Sequence, residues 1–365
     1  MTPLACTLIE RIRREGPLSV GDYMRICLGD PEHGYYRRAD AIGRGGDFIT
    51  APEISQMFGE LIGAWAAAVW RAIGQPMPVR LVELGPGRGT LMADALRAVA
   101  KAAPDFRAAA DLHLVEINPA LRARQAEALG AARPAWHESI ATIPAGPAIV
   151  IANEFFDALP VEQYERTADG WRARCVGLES SGQSLAFVVG APVSDPPLEP
   201  AHRNAPPGAI VETSPASRAL VRALAARIGA DGGAALIIDY GAPASGTGDT
   251  LQAVRQHRMV GPLDMPGESD LTAHVDFAAL ARAAREAGAA VHGPVPQGLF
   301  LNRLGIAARA TILLRRAAPQ QRRDIAAACE CLIGETQMGT LFQVLALTAR
   351  HAPTPPGFDP PPQSG

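Results

Sequence analysis

Two carboxylates and the glycines between them carry the most informative chemistry in this chain. Glu83 stands two residues ahead of Gly85-Pro86-Gly87-Arg88-Gly89, and the glycines fall as G-x-G-x-G. Val79, Leu81, Val82 and Leu84 form the apolar run of a buried parallel strand, and Thr90, Leu91 and Ala95 open a helical pattern. Strand, glycine turn and helix bring backbone close to a nucleotide and aim helix N–H groups at it. Leu112, Leu114 and Val115 make a second short strand that ends at Glu116 and Ile117. A carboxylate there can accept hydrogen bonds from both hydroxyls of a ribose. Asn118 as N-cap and Pro119 at the first helical position explain where the next helix starts. A third polar group, Asn153, Glu154, Phe155 and Asp157, leaves the nearly all-apolar run Ala148 to Ala152 at the carboxyl end of a fourth strand. Carboxylates at such a place are candidates for function.

These residues need an alternating framework to hold them. Strands are expected near 79–85, 111–116, 133–138, 147–152, 234–240 and 340–348, with helices between. That alternation means an α/β, doubly wound, mostly parallel sheet with ligands at the carboxyl ends of its strands. Residues 1–78 read as a helical N-terminal extension: Leu4, Leu8, Ile9 and Ile12 at helical spacing, then a helix capped by Ser19, then a glycine-rich loop over 29–49. Thr50-Ala-Pro-Glu53 reads as a capping box, opening one helix that runs through Trp65 and Trp70. The core is expected over 79–350. An antiparallel arm is inserted at 161–215, where Val161, Tyr164, Trp171, Cys175 and Val176 follow strand spacing. Tyr240 closes the fifth strand. Residues 242–274 read as a polar Gly/Pro-rich loop region ending at His274, which either lines the cleft or is structural. A helix is expected over 317–334, and 351–365 read as a disordered proline-rich tail.

Net charge of −3 and a pI near 6.3 give no electrostatic case for nucleic acid or an anionic membrane as the main partner. Abundant Ala, and Arg in place of all lysines except Lys101, read as bacterial coding bias. The five cysteines are scattered, with neither zinc nor redox spacing, so no metal is expected and the thiols read as reduced. The apolar runs are too short to span a bilayer, and the N-terminus lacks a secretory h-region. A cytoplasmic protein is the expectation.

The E-x-G-x-G-x-G pattern of Glu83 to Gly89 resembles the first motif of class I S-adenosylmethionine-dependent methyltransferases. Longer stretches narrow the resemblance: Gly46-Asp-Phe-Ile-Thr-Ala-Pro-Glu-Ile-Ser-Gln56, Ala152-Asn-Glu-Phe-Phe-Asp-Ala-Leu-Pro160, Leu236 to Gly241, Asp270 to Phe277 and Gln297 to Ile306. Over about residues 5 to 350 the chain is similar to the MidA family, the mitochondrial complex I assembly methyltransferases and their bacterial relatives. The resemblance implies a Rossmann-like class I fold, S-adenosyl-L-methionine as cofactor, and symmetric dimethylation of an arginine in a respiratory complex I subunit. Because no mitochondrial presequence is seen, a bacterial member fits. For the cofactor it points to Glu83, Gly85, Pro86, Gly87, Gly89 and Thr90, to Glu116 and Ile117, and to Ser139 and Ile140 beside the adenine. Thr50, Glu53 and Gln56 wall the site or simply start a capped helix; Phe155, Tyr240 and His274 are further wall candidates.

Methyl transfer is an in-line displacement at a sulfonium, so alignment and exclusion of water are the main tasks. A guanidinium acceptor is protonated at all working pH values and has no free lone pair. Carboxylates must hold its planar fork and favour proton loss. Glu154 and Asp157 are the candidates, with Asn153 orienting donor or acceptor. Three alternatives stay open: a small-molecule or lipid methyltransferase, a non-catalytic assembly scaffold, and a dehydrogenase, which would favour the G-x-G-x-x-G spacing and bind NAD. The acceptor and the oligomeric state, a homodimer included, also stay open.

Overall fold

The apolar runs become a sheet because most of their residues can be buried on both faces, as a parallel sheet demands. The computed structural model describes residues 1–37 and 50–358. The chain divides into two units, one of Met1–Phe48, Phe156–Leu220 and Ala244–Ala279, the other of Ile49–Phe155, Val221–Pro243 and Leu280–Gly365. The first 78 residues are thus shared between them.

The second unit holds the sheet. Its strands are β1 (Val79–Leu84), β2 (Ala110–Val115), β3 (Ala135–His137), β4 (Ala148–Asn153), β5 (Gly233–Ala242), β6 (Ala290–Pro296) and β7 (Phe342–Thr348). They are hydrogen-bonded in the order β6-β7-β5-β4-β1-β2-β3. The pairs from β5 through β3 are parallel, and β7 runs antiparallel to both β5 and β6. The chain moves outward from β1 to β3 and then returns to β4, so the strand order reverses between β1 and β4, where doubly wound sheets open a ligand crevice. The mostly parallel fold follows the sequence expectation. Strand β6 was not anticipated: Gly293 and Pro294 interrupt it, and the register with β7 shifts between His292 and Val295.

One helical stretch expected to be continuous is broken. Ala51–Ile54 and Gln56–Ala72 are separate helices, divided at Ser55, whose φ of −158° is extended. The Ser55 hydroxyl then caps the second helix by accepting from the Met57 amide at 3.2 Å. Helix Gln56–Ala72 packs very closely on helix Thr90–Ala102. A Cβ on Gly59 would lie 2.8 Å from the Leu91 carbonyl oxygen, and one on Gly63 would lie 2.8 Å from the Ala95 Cα. Met57, Phe58, Leu61, Ile62 and Trp65 of that helix are buried in the core, which bears out its apolar stripe. Residues 351–358 of the expected tail are packed rather than loose: the Phe358 and Phe300 ring centroids are 5.4 Å apart, and the Trp65 indole donates to the Pro356 carbonyl at 3.2 Å. Apolar Phe358 at the end of a proline run is what anchors them.

In the first unit, helix Pro3–Glu15 buries Leu4, Leu8, Ile9 and Ile12, and Ser19 caps helix Val20–Gly29 by accepting from Asp22 at 3.0 Å. The expected antiparallel arm is present as strands Glu162–Thr167, Gly170–Leu178, Leu185–Val193 and Ile210–Thr213, joined at one edge by Leu18–Ser19. The stretch 242–274 is not simply a loop. Gln252–Arg255 pairs antiparallel with Arg258–Val260 and Asp270–Thr272. The turn residues Gln256 and His257 have φ of 50° and 59°, as a two-residue hairpin turn requires. These strands are too short to give a sequence period. Residues 38–49 of the glycine-rich loop, with Gly46 to Ile49 of its motif, lie outside the described residues. No described helix is long and apolar enough to cross a membrane.

Candidate active site

The turn leaves β1 with its three glycines in the left-handed region, φ being 60°, 52° and 84° at Gly85, Gly87 and Gly89. A side chain costs roughly 1–2 kcal/mol per residue in that region. The Gly85 amide donates to the Val115 carbonyl at 3.0 Å and the Gly89 amide to the Pro86 carbonyl at 2.7 Å, so the turn closes tightly across the end of β2. Gly85 has a second reason to be glycine: a Cβ there would lie 2.6 Å from the Phe155 ring. Phe155 is itself fixed, its amide donating to the carboxylate of Asp239 at 3.1 Å. Asp239 is fully buried at the end of β5 and also accepts from the Tyr240 amide at 2.9 Å. Asp239 was seen only as a landmark in the sequence, because its role depends on a residue 84 positions away.

Glu83 lies in register between Leu114 of β2 and Ile151 of β4. It is buried, and its Oε2 has no hydrogen-bond partner among the described residues. Burial pushes the carboxyl up to about 8. A buried polar atom without a partner costs about 1–3 kcal/mol, more if charged. The amino group of a methionine moiety is a cationic donor suited to relieve that cost, so this carboxylate beneath a glycine turn fits an S-adenosylmethionine-type ligand.

Glu116 follows the end of β2 and is buried. Its Oε1 accepts from the Asn118 amide at 2.8 Å and its Oε2 from the Gln125 side chain at 3.1 Å. Desolvation raises its pKa, partly offset by the donors Asn118, Gln125 and Ile117. The Arg122 guanidinium grips the Glu116 carbonyl through Nε at 2.8 Å. Asn118 caps helix Pro119–Leu129 as expected, accepting from Ala120 and Leu121. Ile117 is 43% exposed although apolar, as a residue that flanks an adenine face would be. Ser139, exposed after β3, accepts from the Ala141 amide at 3.2 Å and starts the short turn of half-buried Ile140.

Several candidates take structural bonds. The capping box at Thr50 does not form: the Thr50 hydroxyl makes no cap bond. Glu154 replaces it, accepting from the Ala51 amide at 2.8 Å through Oε1, which also accepts from the Asn153 side chain at 3.0 Å. Glu154 adopts a φ of 49°, so the chain turns sharply as it leaves β4. Glu53, freed from capping, accepts from the Thr90 hydroxyl at 2.5 Å and ties its helix to the start of helix Thr90–Ala102. Gln56 is exposed and donates to Glu60 at 3.4 Å. Tyr240 belongs to the core, its ring edge-on to Phe342 with centroids 5.6 Å apart. Asp157 and His274 fall in the other unit. There Asp157 is buried and its carbonyl accepts from the Ala273 amide at 2.9 Å, while the exposed His274 donates its amide to the Thr250 hydroxyl at 2.9 Å.

Comparison with known proteins agrees with this geometry. Residues 61–295 match the family model described as putative S-adenosyl-L-methionine-dependent methyltransferase. The chain is 40% identical to the mitochondrial protein arginine methyltransferase NDUFAF7 homolog of Drosophila melanogaster, over 94% of this chain and 84% of that one. It is 36% identical to the human protein arginine methyltransferase NDUFAF7, over 95% and 83%. A crystal structure of a Burkholderia thailandensis protein bound to S-adenosyl-homocysteine superposes with a TM-score of 0.83 at 32% identity, covering 98% of this chain and 92% of that one.

Proposed function

The chain belongs to the family of S-adenosyl-L-methionine-dependent methyltransferases, and from that premise we propose that it methylates an arginine of a protein, a respiratory complex I subunit being the acceptor to test first. The observation that carries the donor half is the Oε2 of buried Glu83 beneath the glycine turn, which has no hydrogen-bond partner among the described residues. The acceptor half is supported by the naming of relatives 36–40% identical as protein arginine methyltransferases.

Bound S-adenosylmethionine supplies an electrophilic methyl on a sulfonium. Glu83 holds the amino group, the Gly85–Gly89 turn accommodates the chain at close range, Glu116 accepts from a ribose hydroxyl, and Ile117, Ser139 and Ile140 border the adenine. As a carbon–nitrogen bond forms and the carbon–sulfur bond breaks, the guanidinium must lose one proton. Glu154, with Asn153 orienting, is the group assigned to hold the fork and draw that proton away, and Asp157 stays a candidate carboxylate within its own unit. A second round on the other terminal nitrogen gives symmetric dimethylarginine. The same reading carries a bacterial cytoplasmic setting.

The test is transfer of isotopically labelled methyl from S-adenosylmethionine to isolated complex I subunits, read by mass spectrometry. Label in dimethylarginine supports the proposal. Label in a lipid or small-molecule fraction overturns the acceptor, and binding of donor without any transfer brings the scaffold reading forward.

A further inference from the structure

Gln125, which no motif singles out, is completely buried and makes hydrogen bonds to three separate parts of the site. Its Oε1 accepts from the Trp136 indole at 2.8 Å, and its Nε2 donates to the Gly87 carbonyl at 2.8 Å and to Glu116 Oε2 at 3.1 Å. The orientation of the amide is dictated by chemistry. An indole N–H can only donate, so it must face the amide oxygen, which leaves both Nε2 hydrogens for Gly87 and Glu116. The residue also fills the space beside the turn: a Cβ on Gly89 would lie 3.3 Å from the Gln125 Cα.

The consequence for Glu116 follows from counting lone pairs. An ionised carboxylate offers about four acceptor positions. The Asn118 amide takes one on Oε1, Gln125 takes one on Oε2, and the Ile117 amide takes a third. One position is left to accept from a ribose hydroxyl. We infer that Gln125 is a positioning residue that sets the Glu116 carboxylate to accept from a cofactor ribose hydroxyl while fixing the Gly87 carbonyl in the turn. The inference rests on Glu116 being the ribose acceptor, and its test separates the two ideas.

Calorimetric titration of the full chain with S-adenosylhomocysteine and with its 2′-deoxy analogue gives a ratio of dissociation constants that reports the hydroxyl bond alone. In the unmodified protein the deoxy analogue is expected to bind about tenfold or more weakly, the range for a hydrogen bond to a charged group. Gln125→Leu should reduce that ratio to about threefold or less, while affinity for S-adenosylhomocysteine falls about tenfold. Trp136→Phe keeps Gln125 but releases its amide to rotate, so it should lower the ratio by a smaller factor, and it serves where Gln125→Leu does not fold. If both analogues weaken in proportion in Gln125→Leu, or if Trp136→Phe leaves the ratio unchanged, Gln125 only packs and the inference is overturned. If instead Glu116→Ala keeps the full ratio, the ribose role of Glu116 itself fails.

Discussion

At the scale of single residues, Glu83 ties donor binding to pH. Its folded carboxyl sits near 8 because burial disfavours the charge. A bound amino acid in its ammonium form requires the ionised carboxylate, so S-adenosylhomocysteine binding at pH 7 is expected to release close to one proton. Affinity should rise about tenfold per unit over the acid side of 8 and level off above it. Titrations in two buffers of different ionisation enthalpy read the proton directly, and Glu83→Gln should abolish both effects. A flat profile with no proton released would remove Glu83 from the amino-group role. The sign for the unliganded fold follows from the same shift: with the folded pKa raised, the contribution of Glu83 to stability is full below the usual carboxylate range and is lost as pH rises through about 8. Glu83 and Glu116 were legible in the sequence because an acid before a glycine turn and an acid at a strand tip are local patterns. Gln125 and Asp239 were not, since each acts on partners that only folding brings near: Gly87 and Trp136 for one, Phe155 for the other.

At the scale of elements, the turn after β1 is set by two constraints that substitution can separate. Gly85→Ala meets both a left-handed φ of 60° and the Phe155 ring. It is expected to destabilise the protein by roughly 2–4 kcal/mol, the left-handed term plus overpacking, and to abolish donor binding. Adding Phe155→Ala should recover only the overpacking part, and chemical denaturation of the single and double variants reads the coupling. Full recovery would mean that backbone strain is not a constraint there. Glu154 can be treated the same way. Gln retains an acceptor for the Ala51 amide whereas Ala does not, so Glu154→Gln should stay within about 1 kcal/mol of the parent while Glu154→Ala loses about 1–3 kcal/mol. Methyl transfer lost in Glu154→Gln with donor affinity kept would then belong to chemistry; transfer retained would strike Glu154 from the catalytic group. Strands β1, β2, β4, β5 and β7 were readable because each carries a short, mostly apolar run. Strand β6, broken by Gly293 and Pro294, and the hairpin at 252–260 gave too few residues for a period to show. The break at Ser55 was hidden by an apolar stripe that continues on both sides of it.

At the largest scale, the glycine-turn helix is held in its unit by a charge cluster that the sequence gives no means of pairing. Glu60, on helix Gln56–Ala72, is buried and accepts from Arg309 through Nε at 2.6 Å and Nη2 at 3.0 Å, and from Arg97 at 3.0 Å. Arg97 belongs to helix Thr90–Ala102 and Arg309 to helix Ile306–Leu314, so three helices meet at one carboxylate. Removing the acid takes the carboxylate from Arg309, while Arg97 keeps Asp94 at 2.5 Å; breaking a fully buried pair costs about 3–5 kcal/mol. The side chains of Arg97 and Arg309 are 44% and 29% exposed and Arg97 stays paired with Asp94, so a smaller loss, about 1–3 kcal/mol, is expected for Glu60→Gln in urea denaturation at pH 7. Burial works to raise the Glu60 pKa, but the bonds from Arg309 and Arg97 outweigh it and hold the group below its ordinary value. A depressed carboxyl contributes stability above its unfolded pKa and loses it as pH falls through the folded one. The gap between parent and Glu60→Gln should therefore narrow steadily below about pH 4. S-adenosylhomocysteine at 100 times its dissociation constant adds about 2.7 kcal/mol to any form that binds it. It should restore or nearly restore Glu60→Gln if the cluster supports the turn without shaping it. Loss of binding in that variant would mean instead that the position of helix Thr90–Ala102, set by Glu60 and by the close packing at Gly59 and Gly63, is itself a condition for binding the donor.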